Sequence, residues 1–229
     1  MKKVIFLFGP PGAGKGTQAE LLSEKTGYYH FESSKLIERC FKTEGKGKIF
    51  LIEGKDYKVG DEIKKWKSGG LNSPPFVVFL MMERIKELAF QDKSIIFSGS
   101  PRTLYEAKRE IPMIKELYKL DNIKFIFLEI TAQTTIFRNS HRRICQLVRH
   151  SILFNKETEK LKLCPLDGSK LVRRMSLDDL KTIKNRLKIY KKQTYPVIDY
   201  IKKEGIKVEK VNGEQSVAQV FKKVLKVLE

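Results

Sequence analysis

Gly9-Pro10-Pro11-Gly12-Ala13-Gly14-Lys15-Gly16-Thr17 stands between the apolar run Val4 to Phe8 and a helix-like stretch that opens near Gly16. A strand, a glycine-rich loop and a helix, in that order, are the ingredients of a phosphate site. The glycines let successive backbone N–H groups turn inward around an anion, the helix N-terminus adds its dipole, and Lys15 reaches the outer phosphates. A plain turn would need the Gly and Pro residues but not Lys15 and Thr17 behind a buried strand. Gly16 takes the place of the hydroxyl residue that usually follows the lysine, and the hydroxyl arrives one residue later, at Thr17.

Outward from this loop, short apolar runs alternate with longer amphipathic stretches. The runs are Lys3 to Phe8, Ser94 to Phe97, Lys124 to Ile130 and Lys207 to Val211. Helices are expected over Gly16 to Lys25, Ser34 to Phe41, Pro75 to Phe90, Leu104 to Leu120, Thr131 to His141, Leu177 to Lys203 and Gln215 to Leu228. The alternation predicts an α/β fold, a parallel sheet of about five strands flanked by helices. Ligands of such a sheet bind beyond the carboxyl ends of its strands, so the loop, Gly99 to Arg102 and the Arg138 to Arg143 turn should share one cleft. Two segments break the alternation. One, from about residue 31 to 72, is rich in glycine and carries an alternating stretch, Ile49 to Tyr57, that reads as a hairpin around Gly54-Lys55. The other, from about residue 143 to 175, has little periodicity.

The chain has 229 residues and 41% apolar content, enough for one good-sized core carrying inserted lobes. No apolar run approaches the ~20 residues that span a bilayer, and the run behind Lys2-Lys3 is too short for a signal peptide, so a cytoplasmic protein without membrane contact is expected. Three cysteines, Cys40, Cys145 and Cys164, cannot all pair and are expected as thiols or metal ligands. Lys and Arg number 46 against 27 Asp and Glu, a formal charge of +19. Most of the excess is lysine spread along helix-like stretches, as on a solvated face, and without interleaved aromatic residues it argues against a nucleic-acid site.

The form GPPGAGKGTQAELL resembles the phosphate loop of the adenylate kinases, within the nucleoside monophosphate kinases. Three further segments support the resemblance over nearly the whole chain: Ser98-Gly99-Ser100-Pro101-Arg102-Thr103, Arg138 to Arg143, and Val211-Asn212-Gly213. It implies a P-loop kinase fold with a core of residues 1–30, 73–142 and 176–229, a monophosphate-binding lobe of residues 31–72 and a lid of residues 143–175. It also implies ATP and Mg²⁺, a monomer, and transfer of the terminal phosphoryl group of ATP to AMP, giving two ADP. ATP would be bound by Gly12, Ala13, Gly14, Lys15, Gly16, Thr17, Arg138, Arg142 and Gln215, with the Thr17 hydroxyl as a ligand of Mg²⁺. The acceptor would be bound by Ser33, Arg39, Gly70, Leu71, Asn72, Gly99, Ser100, Arg102, Glu106 and Arg186. Phosphoryl transfer needs positive charge around a transition state whose negative charge spreads over oxygens, and arginine binds such oxygens with a planar fork. The resemblance assigns that work to Lys15, Arg102, Arg142, Arg174 and Arg186, with Arg138 stacked on the ATP base. Arg143 and Arg173 are further candidates of the same chemistry.

Several positions depart from the family pattern. The aspartate that would organise the Mg²⁺ shell is Ser98, which predicts weaker metal binding or a slower reaction. A second expected acid falls on Lys35, and the arginine after it falls on Glu38 or, with a slip of one residue, on Arg39. A glutamine expected to read adenine is Glu106, which accepts hydrogen bonds but donates none when ionised, so the acceptor base stays open. These changes keep two alternatives in view: a monophosphate kinase with another acceptor, and a nucleotide-binding or RNA-associated ATPase of low activity. Some family lids hold Zn²⁺ between two ligand pairs. Cys164 and Asp167 match the second pair, whereas Cys145 has only His150 as a nearby partner for the first. The heavier expectation is therefore a metal-free lid, held by hydrogen bonds and by apolar contacts of Leu147, Leu153 and Phe154. His30 and His141 are assigned no role.

Overall fold

The computed structural model describes residues 2–68, 70–149, 151–173 and 178–228. Its centre is a five-stranded parallel sheet in the order β10-β6-β1-β5-β2. The strands are β1 (Val4–Phe8), β2 (Tyr29–Phe31), β5 (Ile95–Phe97), β6 (Ile123–Glu129) and β10 (Val208–Asn212). All five residues of β1 are buried, as a strand covered on both faces requires. Val4, Phe6 and Phe8 join one core with α4 (Pro74–Phe90), α5 (Leu104–Tyr118) and α8 (Val197–Lys203). Ile5 and Leu7 point the other way, into a core with α1 (Lys15–Thr26) and α9 (Val217–Leu228). The rings of Phe6 and Phe97 stack across β1 and β5 at 4.8 Å. Each such buried side chain stabilises the fold by roughly 1.5–3 kcal/mol.

From central β1 the chain runs to β2 and β5 on one side, then crosses to β6 and β10 on the other. That reversal opens a crevice beyond the carboxyl end of β1, where the glycine-rich loop lies. The four strands expected from apolar runs are present within a residue or so. The fifth, β2, carries no apolar run, since Tyr29 is exposed and His30 half-buried; pairing with β5 makes it a strand.

Two insertions build the walls of the crevice. The first holds α2 (Ser33–Thr43), an antiparallel hairpin of β3 (Ile49–Ile52) and β4 (Lys55–Lys58), and α3 (Val59–Lys67). The hairpin turns at Glu53-Gly54, one residue earlier than expected, with both residues at positive φ. Helix α3 was not expected: Glu62, 1% exposed, anchors it by accepting from the Ser73 N–H at 2.8 Å and from the Ser73 hydroxyl at 2.7 Å. The second insertion, after α6 (Ala132–Ser140), is a small antiparallel sheet of β7 (Arg143–Cys145), β8 (Ser151–Ile152) and β9 (Leu171–Val172). A further departure is in the long helix expected from Leu177 to Lys203. Leu177 lies outside the described residues, and the rest divides into α7 (Leu180–Ile189), a π-helical turn at Tyr190–Thr194 and α8. Tyr195-Pro196 follow the turn; Pro196 lacks an N–H and stands at the N-cap of α8, where none is needed. No helix among the described residues is long and apolar enough to cross a membrane.

Candidate active site

The glycine-rich loop is shaped by close approaches. Gly9 has φ 146, and a Cβ there would stand 2.4 Å from the Leu128 carbonyl oxygen of β6. Gly12 has φ 86, and a Cβ would meet Asn139 Nδ2 of α6 at 2.6 Å. No side chain larger than hydrogen fits at either position without moving a neighbour. Gly14, also left-handed, forms the N-cap of α1, whose first turn carries no acidic residue, so its N–H groups keep their full pull on an anion. The Lys15 ammonium folds back over the loop and donates to the carbonyls of Gly9 at 2.8 Å and Pro10 at 2.9 Å. Its pKa is lowered to about 7, first by burial and then by repulsion from Arg102, Arg186 and Arg142.

Those arginines come from three other elements. Arg102 follows β5 and is oriented by its Nε donating to the Gly99 carbonyl at 2.6 Å. Arg142 stands at the entry to the β7–β9 sheet, and Arg186 lies in α7. All three line a cleft of about 480 Å³ with Lys15, Gly70, Leu71, Gly99 and Ser100. A narrower pocket continues from it through Gly70, Leu71, Gly99 and Arg102, and is lined by Ser33, Asn72 and Glu106. Arg138 of α6 reaches the loop from behind, its Nη1 donating to the Gly12 carbonyl at 3.3 Å. Thr17 is half-buried in the first turn of α1, with Gly12, Ala13, Gly14 and Gly16 around it in the loop.

Other expected residues fall elsewhere. Arg39 is exposed on α2 and does not line the cleft; the helix phase turns Glu38 inward instead. Gln215 is half-buried in the turn between β10 and α9, away from the cleft lining. Asn72 lines the narrow pocket, but its amide donates to Glu62 Oε2 at 2.9 Å. Ser100 hydrogen-bonds Glu110 with its hydroxyl, leaving its backbone to the cleft. Arg143 donates to the carbonyls of Leu161 at 2.6 Å, of Glu159 at 3.1 Å and of Thr158, tying β7 to the loop between β8 and β9. Arg173 is exposed. Arg174 and His150 lie outside the described residues. Lys35 is exposed and pairs with Glu32.

Sequence reading missed several contributors because their signals are tertiary. Arg149 enters the cleft lining from the small sheet with a positive φ of 64. Tyr190 places a buried hydroxyl at the cleft wall, in the π-helical turn. His30, assigned no role, holds the Ser98 hydroxyl at 2.7 Å across the β2–β5 ladder. His141 lies between Phe137 and Phe154, each ring centroid 4.5 Å from its own and tilted by 38° and 37°. In the small sheet, Leu147 and Leu153 are 72% and 56% exposed, so the expected apolar packing is made by Phe154 and not by them. Cys145, Cys164 and Asp167 instead bring their ligand atoms within 4.8 Å of one another.

This arrangement can hold the phosphates of two nucleotides end to end. A glycine loop at a helix N-terminus, a lysine and arginines from separate elements converge on one crevice. The family model for adenylate kinase matches residues 7–206. The adenylate kinase of Mycoplasma capricolum subsp. capricolum is 34% identical over 225 residues, 96% of each chain. That of Caldicellulosiruptor saccharolyticus is 31% identical over 229 residues, 98% of each chain, and that of Petrotoga mobilis 33% over 230 residues, 98% of this chain and 96% of the relative. With that cleft and this full-length similarity, the chain belongs to the adenylate kinase family, ATP-dependent nucleoside monophosphate phosphotransferases.

Proposed function

We propose that ATP lies along the loop from Gly12 to Thr17 with Arg138 and Arg142, that AMP lies between α2, Gly70, Leu71 and Arg102, and that Arg186 bridges the two. The observation that carries this reading is the convergence of three arginines, Arg102, Arg142 and Arg186, on Lys15, whose pKa burial and their repulsion together lower to about 7. Residues 31–72 then act as the acceptor lobe and residues 143–175 as the lid, on a core made of the rest.

The chain's groups perform the transfer without a covalent nucleophile. The loop N–H groups and Lys15 hold the donor's outer phosphates, and Arg102 holds the phosphate of the acceptor, so the reacting oxygens start in line. Negative charge that develops on the transferred group meets Arg142 and Arg186, whose forks bind two oxygens each. The small sheet above the cleft excludes water that would otherwise accept the phosphoryl group. Mg²⁺ fits here through the Thr17 hydroxyl, a hard oxygen donor in the first turn of α1. When bound, it neutralises charge on the phosphates.

The division into donor and acceptor sites is tested by kinetics with each substrate varied in turn. Arg102→Ala is expected to raise the KM for AMP about tenfold or more while the KM for ATP stays within about threefold; Arg138→Ala does the reverse. Equal shifts in both constants would refute the division.

Zinc is the second metal the chain suits. Cys145 Sγ lies 3.0 Å from Asp167 Oδ2, and Asp167 is pre-oriented by the Ser169 N–H at 2.9 Å and the Ser169 hydroxyl at 2.7 Å. Two sulfurs and an oxygen within 4.8 Å, beside exposed Leu147 and Leu153, supply three of the four ligands of a structural zinc: Cys145, Cys164 and Asp167. Purified protein is expected to carry about one zinc per chain, and its removal to destabilise residues 143–173 first, read by hydrogen exchange. Protein free of zinc, with exchange unmoved by added Zn²⁺, would mean a metal-free lid.

A further inference from the structure

Two acids sit one turn apart on the buried face of α5. Glu106 is 3% exposed and Glu110 is fully buried. Glu106 forms an end of the narrow pocket, whose walls are Ile37, Trp66, Leu71 and Val77, an apolar slot suited to a flat ring. On the reading above, this slot takes the base of the acceptor.

Neighbouring groups decide which acid keeps its charge. Glu106 Oε2 accepts from the Arg102 backbone N–H at 2.6 Å, Oε1 accepts from the Thr103 hydroxyl at 3.1 Å, and the Arg102 guanidinium attracts it. Glu110 receives only the Ser100 hydroxyl, at 2.9 and 3.1 Å. Burial raises both pKa values; donors and Arg102 pull Glu106 back, whereas the charge of Glu106 pushes Glu110 further up. Glu110 is pushed up further, so of the two Glu106 is the one that more readily carries the charge. A carboxylate has about four acceptor positions, so two remain for a ligand, and it has no donor.

We propose that Glu106 sets acceptor specificity by presenting two acceptors to the base, so that the enzyme phosphorylates GMP as well as AMP. Guanine offers two adjacent donors, N1–H and the N2 amino group, one to each carboxylate oxygen. Adenine offers one donor beside the N1 lone pair, which faces a like-charged oxygen. This inference rests on the slot being the acceptor-base site.

Steady-state assays with ATP and either AMP or GMP test it in the wild type, Glu106→Gln and Glu110→Gln. The wild type is expected to use GMP with kcat/KM no less than about a tenth of that for AMP. Glu106→Gln, whose amide still accepts from the Arg102 N–H and can donate to Thr103, is expected to lower the GMP-to-AMP ratio about 10- to 100-fold. Glu110→Gln, replacing one neutral group by another, leaves the ratio within about threefold. Absence of GMP turnover in the wild type, or a ratio shifted as far by Glu110→Gln as by Glu106→Gln, overturns the inference. If Glu106→Gln alters the KM for AMP but GMP is never used, only the guanine inference fails; if it alters neither acceptor's KM, the acceptor-site reading fails with it.

Discussion

Lys15→Ala lowers kcat/KM for ADP formation by about 10³-fold, because it removes the one ammonium seated over the loop where charge develops. Its pH dependence separates this role from a structural one. In the nucleotide-free protein the Lys15 pKa is about 7, against an ordinary value of 10.5. Phosphate oxygens favour the charged form, so binding ATP above pH 7 takes up a proton, and affinity falls as pH rises, by at most about tenfold per unit. Stability moves the other way. Between about pH 7 and 10.5 the unfolded chain binds more protons at this position than the folded one, so this group alone makes the fold more stable with rising pH. Calorimetry at pH 8 in buffers of different ionisation enthalpy is expected to show uptake of about one proton per ATP in the wild type and none in Lys15→Ala. Equal uptake in both would remove Lys15 from the phosphate site.

Arg186→Ala carries the second large effect, a fall in kcat of about 10³-fold or more, with KM values changed far less. The side chain is half-buried on α7, lines the cleft and lies close enough to repel Lys15, as the bridging role proposed for it requires. Arg186→Lys keeps the charge but loses the two-toothed fork, and is expected to recover only part of the loss. A thermal midpoint within a few degrees of wild type is expected for both variants, since Ile183 buries α7 against the core. A loss confined to KM, with kcat intact, would assign Arg186 to ground-state binding alone.

The phosphate loop was legible because its function and its local geometry need the same residues. Gly9, Gly12 and Gly14 all sit at positive φ, and Lys15 opens α1. Strands buried on both faces were equally plain: β1 and β5 are continuous apolar runs and β6 nearly so, whereas β10, with one buried residue, shows only Val208 and Val211. Elements held by partners distant in sequence were not. The edge strand β2 depends on β5, and α3 depends on Glu62 meeting Ser73. The choice between Glu38 and Arg39 as the cleft-facing residue was a question of helix phase, which packing of Ile37 and Cys40 answers by leaving Arg39 in solvent. Cys145 lacked a clear near neighbour in sequence, yet folding of the small sheet brings Cys164 and Asp167 to it across 19 and 22 residues.

By itself, then, the order of residues determined the sheet, the phosphate loop and the class of chemistry, because backbone conformation and two-sided burial are imposed locally by glycine, lysine and runs of apolar side chains. Tertiary structure alone decided how charge is distributed: which arginines reach Lys15, that Arg143 is spent on carbonyls while Arg149 enters the cleft, and that Glu110 is pushed further toward its neutral form than Glu106. Charge interactions and hydrogen bonds depend on distances between groups up to 171 positions apart, as Lys15 and Arg186 are, and on their burial. Neither quantity exists before the chain has folded.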